Sequence, residues 1–157
     1  MDIRKVVIPV AGMGTRLLPV TKSQPKEMLP VGRRPIVQYV IEEAEAAGLR
    51  QVLFITGKNK RAIEDYFDKD VELITRLTRA GKDELADELN ALDFDCSFFY
   101  VRQSVQAGLA DAIAQSGDFV DGQPFVVALG DSTIKSPRPG EVLARMKRTF
   151  IDKNAAA

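Results

Sequence analysis

Val6-Val7-Ile8-Pro9-Val10-Ala11-Gly12-Met13-Gly14-Thr15-Arg16 is a short valine-rich run that empties into a glycine loop. Apolar at every position from Val6 to Val10, it carries the pattern of a strand buried on both faces. Gly12 and Gly14 permit positive φ and let backbone N–H groups approach a phosphate chain. Arg16 adds a planar donor fork for phosphate oxygens. No Gly-Lys-Ser/Thr follows at P-loop spacing, and Leu17 stands where the third glycine of a dinucleotide fingerprint belongs. A tight strand-to-helix turn with Arg16 as a surface charge is the alternative for these residues taken alone.

Outward from this stretch, helices and strands alternate. Pro35 opens a helix whose apolar stripe is Ile36, Val37, Val40, Ile41, Ala44 and Ala47, with Gly48 as its C′ residue. Val52 to Thr56 is a second buried strand, and Arg61 to Phe67 a second helix. Residues 71–92 read as charged helix broken at Gly81, with Leu73, Ile74, Leu77, Leu85, Leu89 and Leu92 as the apolar face. Ser97 to Val101 is a third strand, and Leu109 to Gln115 a short helix stopped by Gly117. Phe125 to Leu129 is a fourth strand, and Glu141 to about Ile151 the last helix. This alternation predicts an α/β, Rossmann-like, mainly parallel sheet with helices on both faces. Ligands of such sheets bind beyond the carboxyl ends of the strands. The loop at 11–16, Arg102-Gln103 and Gly130-Asp131 all sit at such ends and should converge on one rim.

Composition narrows the function. The 157 residues hold 22 Lys plus Arg against 22 Asp plus Glu, which argues against general nucleic-acid or membrane-surface binding. No apolar run approaches a membrane span, and the first run is too short for a secretory signal. The single Cys96 excludes an internal disulfide framework and fits a reducing cytoplasm. The absence of histidine removes His-ligated zinc, Ser-His-Asp triads and histidine acid–base chemistry.

Several polar residues qualify for a site, each with a plainer alternative. In Gln24-Pro25-Lys26-Glu27-Met28-Leu29-Pro30, two prolines stiffen the backbone around a Lys-Glu pair. The alternative is a solvated loop. Asp131 follows a strand and a glycine, where a carboxylate can hold a hard cation such as Mg²⁺ that keeps waters and bridges to phosphates. The alternative is turn chemistry in Gly-Asp-Ser-Thr. Gln103 can meet an amide-like base edge with one donor and one acceptor, or be an ordinary polar strand end. Lys58, Lys60 and Arg61 read as a solvated helix start rather than a phosphate site. Cys96 reads as packing.

Together these residues resemble a known family. Residues 7–16 (Val-Ile-Pro-Val-Ala-Gly-Met-Gly-Thr-Arg) and 21–30 (Thr-Lys-Ser-Gln-Pro-Lys-Glu-Met-Leu-Pro) are similar to sugar-1-phosphate nucleotidyltransferases of the bacterial UTP–glucose-1-phosphate uridylyltransferase type. Gln38-Tyr39, Glu42-Glu43, residues 56–65, Arg102-Gln103 and Leu129-Gly130-Asp131 extend the likeness over nearly the whole chain. The resemblance implies transfer of a uridylyl group from UTP to glucose 1-phosphate, giving UDP-glucose and pyrophosphate. It implies that Arg16 holds the β- and γ-phosphates, Lys26 neutralises charge at the α-phosphate, and Asp131 binds Mg²⁺. Ala11 and Gly12 would meet the uracil through backbone groups, with Gly14 and Thr15 in the same loop. Gln103 and Gly108 would complete the base pocket, and Glu27 would lie beside it. A helical insertion at about 66–92 and the Pro-Lys-Glu-Met-Leu-Pro wording favour the uridylyl over the thymidylyl branch. A non-catalytic nucleotide-binding module, or the same chemistry with dTTP or another sugar 1-phosphate, is the alternative.

Departures from the family wording are specific. Where the family usually reads Gln-x-Glu-x-x-Gly-Leu-Gly-His-Ala, this chain has Gln103 to Ala112 with Val105, Ala110 and Asp111 at the Glu, second Gly and His positions. Ser132 replaces the second Asp of Gly-Asp-Asp. Family members run to nearly twice this length, so residues 1–157 are expected to be the nucleotide-binding, C-terminally truncated part. Nucleotide binding is expected to survive in it, turnover to be low, and the chain to form a homo-oligomer.

Overall fold

A computed structural model describes residues 2–155. Its centre is a parallel sheet of four strands in the order β5-β4-β1-β6. These are β1 (Lys5–Pro9), β4 (Gln51–Thr56), β5 (Ser97–Arg102) and β6 (Phe125–Val127). The two most apolar runs, β1 and β4, take the centre and pair from Lys5↔Gln51 to Pro9↔Ile55. Their side chains alternate between two cores, as strand geometry requires. Val6, Ile8, Val10, Val52 and Phe54 pack with α1 (Ile36–Ala46), α2 (Arg61–Phe67) and α7 (Glu141–Asp152). Val7, Leu53 and Ile55 pack on the other face with α5 (Leu109–Ala114) and α6 (Gly117–Val120). The expected fold class therefore holds, with helices on both faces.

Chain order explains the two faces. From β1 through β4 to β5 the chain advances in one direction, and right-handed crossovers put those helices on one side. After β5 it doubles back to β6 on the far side of β1, so α5 and α6 cover the other face. The reversal opens a crevice beyond the carboxyl ends of β1 and β6. Aromatic packing fastens α2 to β4 and β5: Phe67 stacks on Phe54 at 5.4 Å and on Phe98 at 5.0 Å between ring centroids. Such pairs add about 0.5–1.5 kcal/mol beyond area burial.

Four elements differ from the sequence expectation. A small antiparallel hairpin, β2 (Pro30–Val31) and β3 (Arg34–Pro35), turns at Gly32 and is pinned by Tyr39 Oη donating to the Val31 carbonyl at 2.7 Å. Two-residue strands have no periodicity to read. Gly117 opens α6 instead of merely ending α5, and β6 stops at Val127 rather than Leu129. The stretch 71–92 forms α3 (Val71–Arg79) and α4 (Asp83–Asn90), broken at Gly81 as expected. Its apolar face is only partly covered, with Leu73 and Leu85 exposed, because the two helices pack chiefly on each other. Among the described residues, no helix is long and apolar enough to cross a membrane.

At Gly140 backbone meets backbone. Its φ is 76°, and a Cβ there would lie 2.5–2.8 Å from backbone atoms of Ala46 and Ala47. The Gly140 N–H donates to Glu43 Oε2 at 2.8 Å, so glycine lets α7 start directly against the end of α1.

Candidate active site

Each part of the site hangs from the end of a strand. The glycine loop leaves β1 and passes over the end of β4, where a Cβ on Gly57 would come within 3.2–3.3 Å of Ala11. Gly14 takes φ 66°, and Thr21 Oγ1 donates to its carbonyl at 2.7 Å. Of the two loop glycines, Gly14 uses the positive φ that glycine permits and Gly12 does not. Its missing side chain instead keeps the loop backbone bare beside Lys26, whose Cε and Nζ lie 3.8 and 3.9 Å from where a Cβ would stand. Thr15 and Arg16 begin a single 3-10 turn and are exposed, and Arg16 makes no ion pair among the described residues.

Pro25 initiates another 3-10 turn, Lys26–Met28. That turn sends adjacent charges to different places. Lys26 reaches into the crevice and donates from Nζ to Asp131 Oδ2 at 2.5 Å, across 105 residues of sequence. Glu27 turns inward, is 1% exposed, and accepts from Lys60 Nζ at 2.8 Å through Oε2. Lys60 is itself buried, which corrects its assignment to a solvated helix start. The physical reason is Glu27: a carboxylate in the core requires a cation, and Lys60 is within reach. Glu27 Oε1 has no hydrogen bond and lies 4.0 Å from Lys26 Nζ.

Asp131 is delivered by Gly130, where a Cβ would sit 2.7 Å from Val10 Cγ1 and 3.3 Å from Glu27 Cγ. The hydrogen bond from Lys26 holds the Asp131 carboxyl below the usual carboxylate value, against a smaller upward push from burial. With the folded value depressed, the pair's stabilisation is present above the ordinary carboxylate range. It is lost only as pH falls through the lower folded value. Asp131 is therefore a full anion at neutral pH. Its side chain is 38% exposed, so the pair with Lys26 contributes little, about 0–1 kcal/mol, to stability.

The residues expected on the base side follow the end of β5. The Gln103 N–H pairs with the Thr56 carbonyl at 2.9 Å, extending the sheet by one residue. Its buried side chain donates from Nε2 to Asp111 Oδ2 at 2.6 Å and to the Gly108 carbonyl at 3.3 Å. Gly108 has φ 102° and precedes α5. Gln106 bridges the two loops, its Nε2 donating to the Ala11 carbonyl at 2.6 Å. Gln106 carries no sequence signal, and Asp111 stands out only as a departure from the family wording.

The structure thus gathers Ala11, Gly12, Gly14, Lys26, Glu27 and Asp131 on one rim, with Gln103 and Gly108 attached through Gln106. Beneath the glycine loop lies a cavity of about 250 Å³ lined in part by Gly12, Thr15, Lys22 and Lys58. Two larger cavities, bordered by Glu43 and Ile134 and by Phe94 and Phe98, contain none of the candidate site residues. Among the described residues, no three Asp, Glu or Cys side chains converge as a metal cage. One ionised carboxylate at an open crevice fits a cation that takes its remaining ligands from water and phosphate, as Mg²⁺ does.

Known proteins are similar to this chain in sequence and in fold. The nucleotidyl transferase family model matches residues 5–156. A UTP–glucose-1-phosphate uridylyltransferase of Staphylococcus haemolyticus is 47% identical over 138 residues, which is 88% of this chain and 48% of that one. A second relative of the same name, from Staphylococcus saprophyticus, is 46% identical over 139 residues, again 88% and 48%. The solved structure of UTP-bound UGPase from Acinetobacter baumannii superposes with a TM-score of 0.93 at 38% identity, over 98% of this chain and 54% of that one. The chain spans about half the length of the curated relatives it matches. From its first strand to its last helix it belongs to the nucleotidyl transferase family.

Proposed function

We propose that this chain supplies the nucleotide site of a UTP–glucose-1-phosphate uridylyltransferase. The observation that carries the proposal is the meeting of Lys26 and Asp131 beside the bare backbone of Gly12. A cation and an anion placed together at a glycine loop suit a phosphate chain with its metal. In the reaction, a phosphate oxygen of glucose 1-phosphate attacks the α-phosphorus of UTP. The bond from that phosphorus to the bridging oxygen breaks, and pyrophosphate leaves with the electron pair. Lys26 is assigned to the charge that accumulates on the α-phosphate, and Arg16, free of any carboxylate among the described residues, to the leaving β- and γ-phosphates. Such charges accelerate transfer by standing in place before the reaction. Asp131 would hold Mg²⁺, which neutralises phosphate charge. The Ala11 carbonyl, the Gly12 backbone, Gln103 and Gly108 form the base side.

Titration calorimetry with UTP, with and without Mg²⁺, tests this function. Mg²⁺ is expected to tighten UTP binding to the wild type, and Asp131→Asn to abolish that gain while leaving the thermal transition nearly unchanged. Mg²⁺-independent binding in the wild type overturns the assignment of Asp131. Pyrophosphate release in the presence of glucose 1-phosphate reports turnover separately from binding.

We also propose self-association. β5 is an outer strand of the sheet, with Phe99 42% and Tyr100 38% exposed, and an unpaired edge of this kind invites a second copy. Light scattering is expected to give a mass above the 17.3 kDa of one chain. A monodisperse monomer refutes it.

A further inference from the structure

The Gln103 amide has only one orientation open to it. Its nitrogen faces the Asp111 carboxylate at 2.6 Å and the Gly108 carbonyl at 3.3 Å. Both are acceptors, so an amide oxygen turned toward them would meet two oxygens and make no bond. The chemistry of the partners therefore fixes which end is which. Among the described residues Gln103 Oε1 accepts no hydrogen bond, yet it is not among the enclosed side-chain oxygens left without a partner, which are Glu27 Oε1 and Glu43 Oε1. It is left as an unused acceptor. The Ala11 carbonyl is a second acceptor, and it already receives an amide N–H from Gln106 at 2.6 Å.

We infer that Asp111 is a positioning residue for base selection: it holds Gln103 with Oε1 presented to the base, so that the pocket takes a ring carrying an N–H. This rests on the nucleotide site proposed above. Uracil and thymine carry such a donor at N3. Cytosine carries a lone pair at the same ring position and would set acceptor against acceptor. Specificity of this kind comes from a repelled competitor as much as from a favoured ligand. Asp111 stands at a position where the chain departs from the usual family wording, and the geometry gives that departure a task.

The test is the ratio of UTP to CTP affinity, measured by calorimetry on the wild-type chain and on Asp111→Asn. An asparagine can offer an N–H to Gln103 Oε1, which allows the glutamine amide to turn over. The ratio is expected to fall about tenfold, the size of one hydrogen bond gained or lost. Binding of dTTP, which shares the N3 donor, should follow UTP, and Asp111→Glu should restore most of the ratio. A merely structural role would weaken UTP and CTP alike. An unchanged ratio overturns this inference alone, whereas a wild type that binds none of the three nucleotides overturns the nucleotide site and this inference with it. Should Asp111→Asn fail to fold, the Gln103 side-chain amide of the wild type decides by NMR. Exchange-protected protons close to Asp111 support the arrangement, and solvent-like resonances overturn it.

Discussion

Lys60→Met is expected to destabilise the chain by about 3–5 kcal/mol, the usual result of stripping one partner from a buried ion pair. Glu27 is 1% and Lys60 4% exposed, and they meet at 2.8 Å. Without Lys60, the Glu27 carboxylate keeps no hydrogen bond in the described structure, since Oε1 already lacks one. The remaining cation in reach is Lys26 Nζ, at 4.0 Å, and it is engaged with Asp131. For a domain of this size, 1 kcal/mol shifts the melting midpoint by about 2–4 °C, so a fall on the order of 10 °C is expected. Removing both charges, as Glu27→Leu with Lys60→Met, should recover much of the loss, because paired burial costs desolvation that apolar side chains do not. Thermal unfolding of the single and double variants checks this. A single variant as stable as the wild type shows that the pair does not brace the turn carrying Lys26.

Arg16→Ala is expected to weaken UTP binding roughly ten- to hundredfold and to leave UMP binding nearly unchanged. A charge-assisted hydrogen bond to phosphate is worth about 1.5–3 kcal/mol, and tenfold corresponds to about 1.4 kcal/mol. Arg16 is exposed and makes no ion pair among the described residues, so its loss should not disturb the fold. The whole effect then falls on the ligand. Because UMP has no β- or γ-phosphate, the difference between the two nucleotides isolates the assigned contact. Equal losses for UTP and UMP would place Arg16 elsewhere, on the α-phosphate or the ribose.

Local pattern and distant partnership divide this protein cleanly. Runs such as Val6–Val10 and Val52–Thr56 identify central strands because a strand covered on both faces has no polar position to spare. The alternation with helices fixes a parallel sheet, and so places the loop at 11–16, Gln103 and Asp131 at one edge. The apolar stripe of 36–47 and the stop at Gly48 are equally local and equally legible. Two-residue strands at Pro30–Val31 and Arg34–Pro35 are too short for any period to mark them.

The sequence by itself determined the four strands of the main sheet, their alternation with helices and the rim on which polar residues gather, since each follows from near neighbours in the chain. Only the tertiary structure decided what those residues do to one another. Lys60 looks like any solvated lysine until Glu27, 33 residues away, is seen buried beneath it. Lys26 meets Asp131 across 105 residues. Gln106 finds the Ala11 carbonyl across 95. Charge pairing and amide orientation depend on distance in space and on burial, and no spacing along the chain encodes either before the sheet has brought its strand ends together.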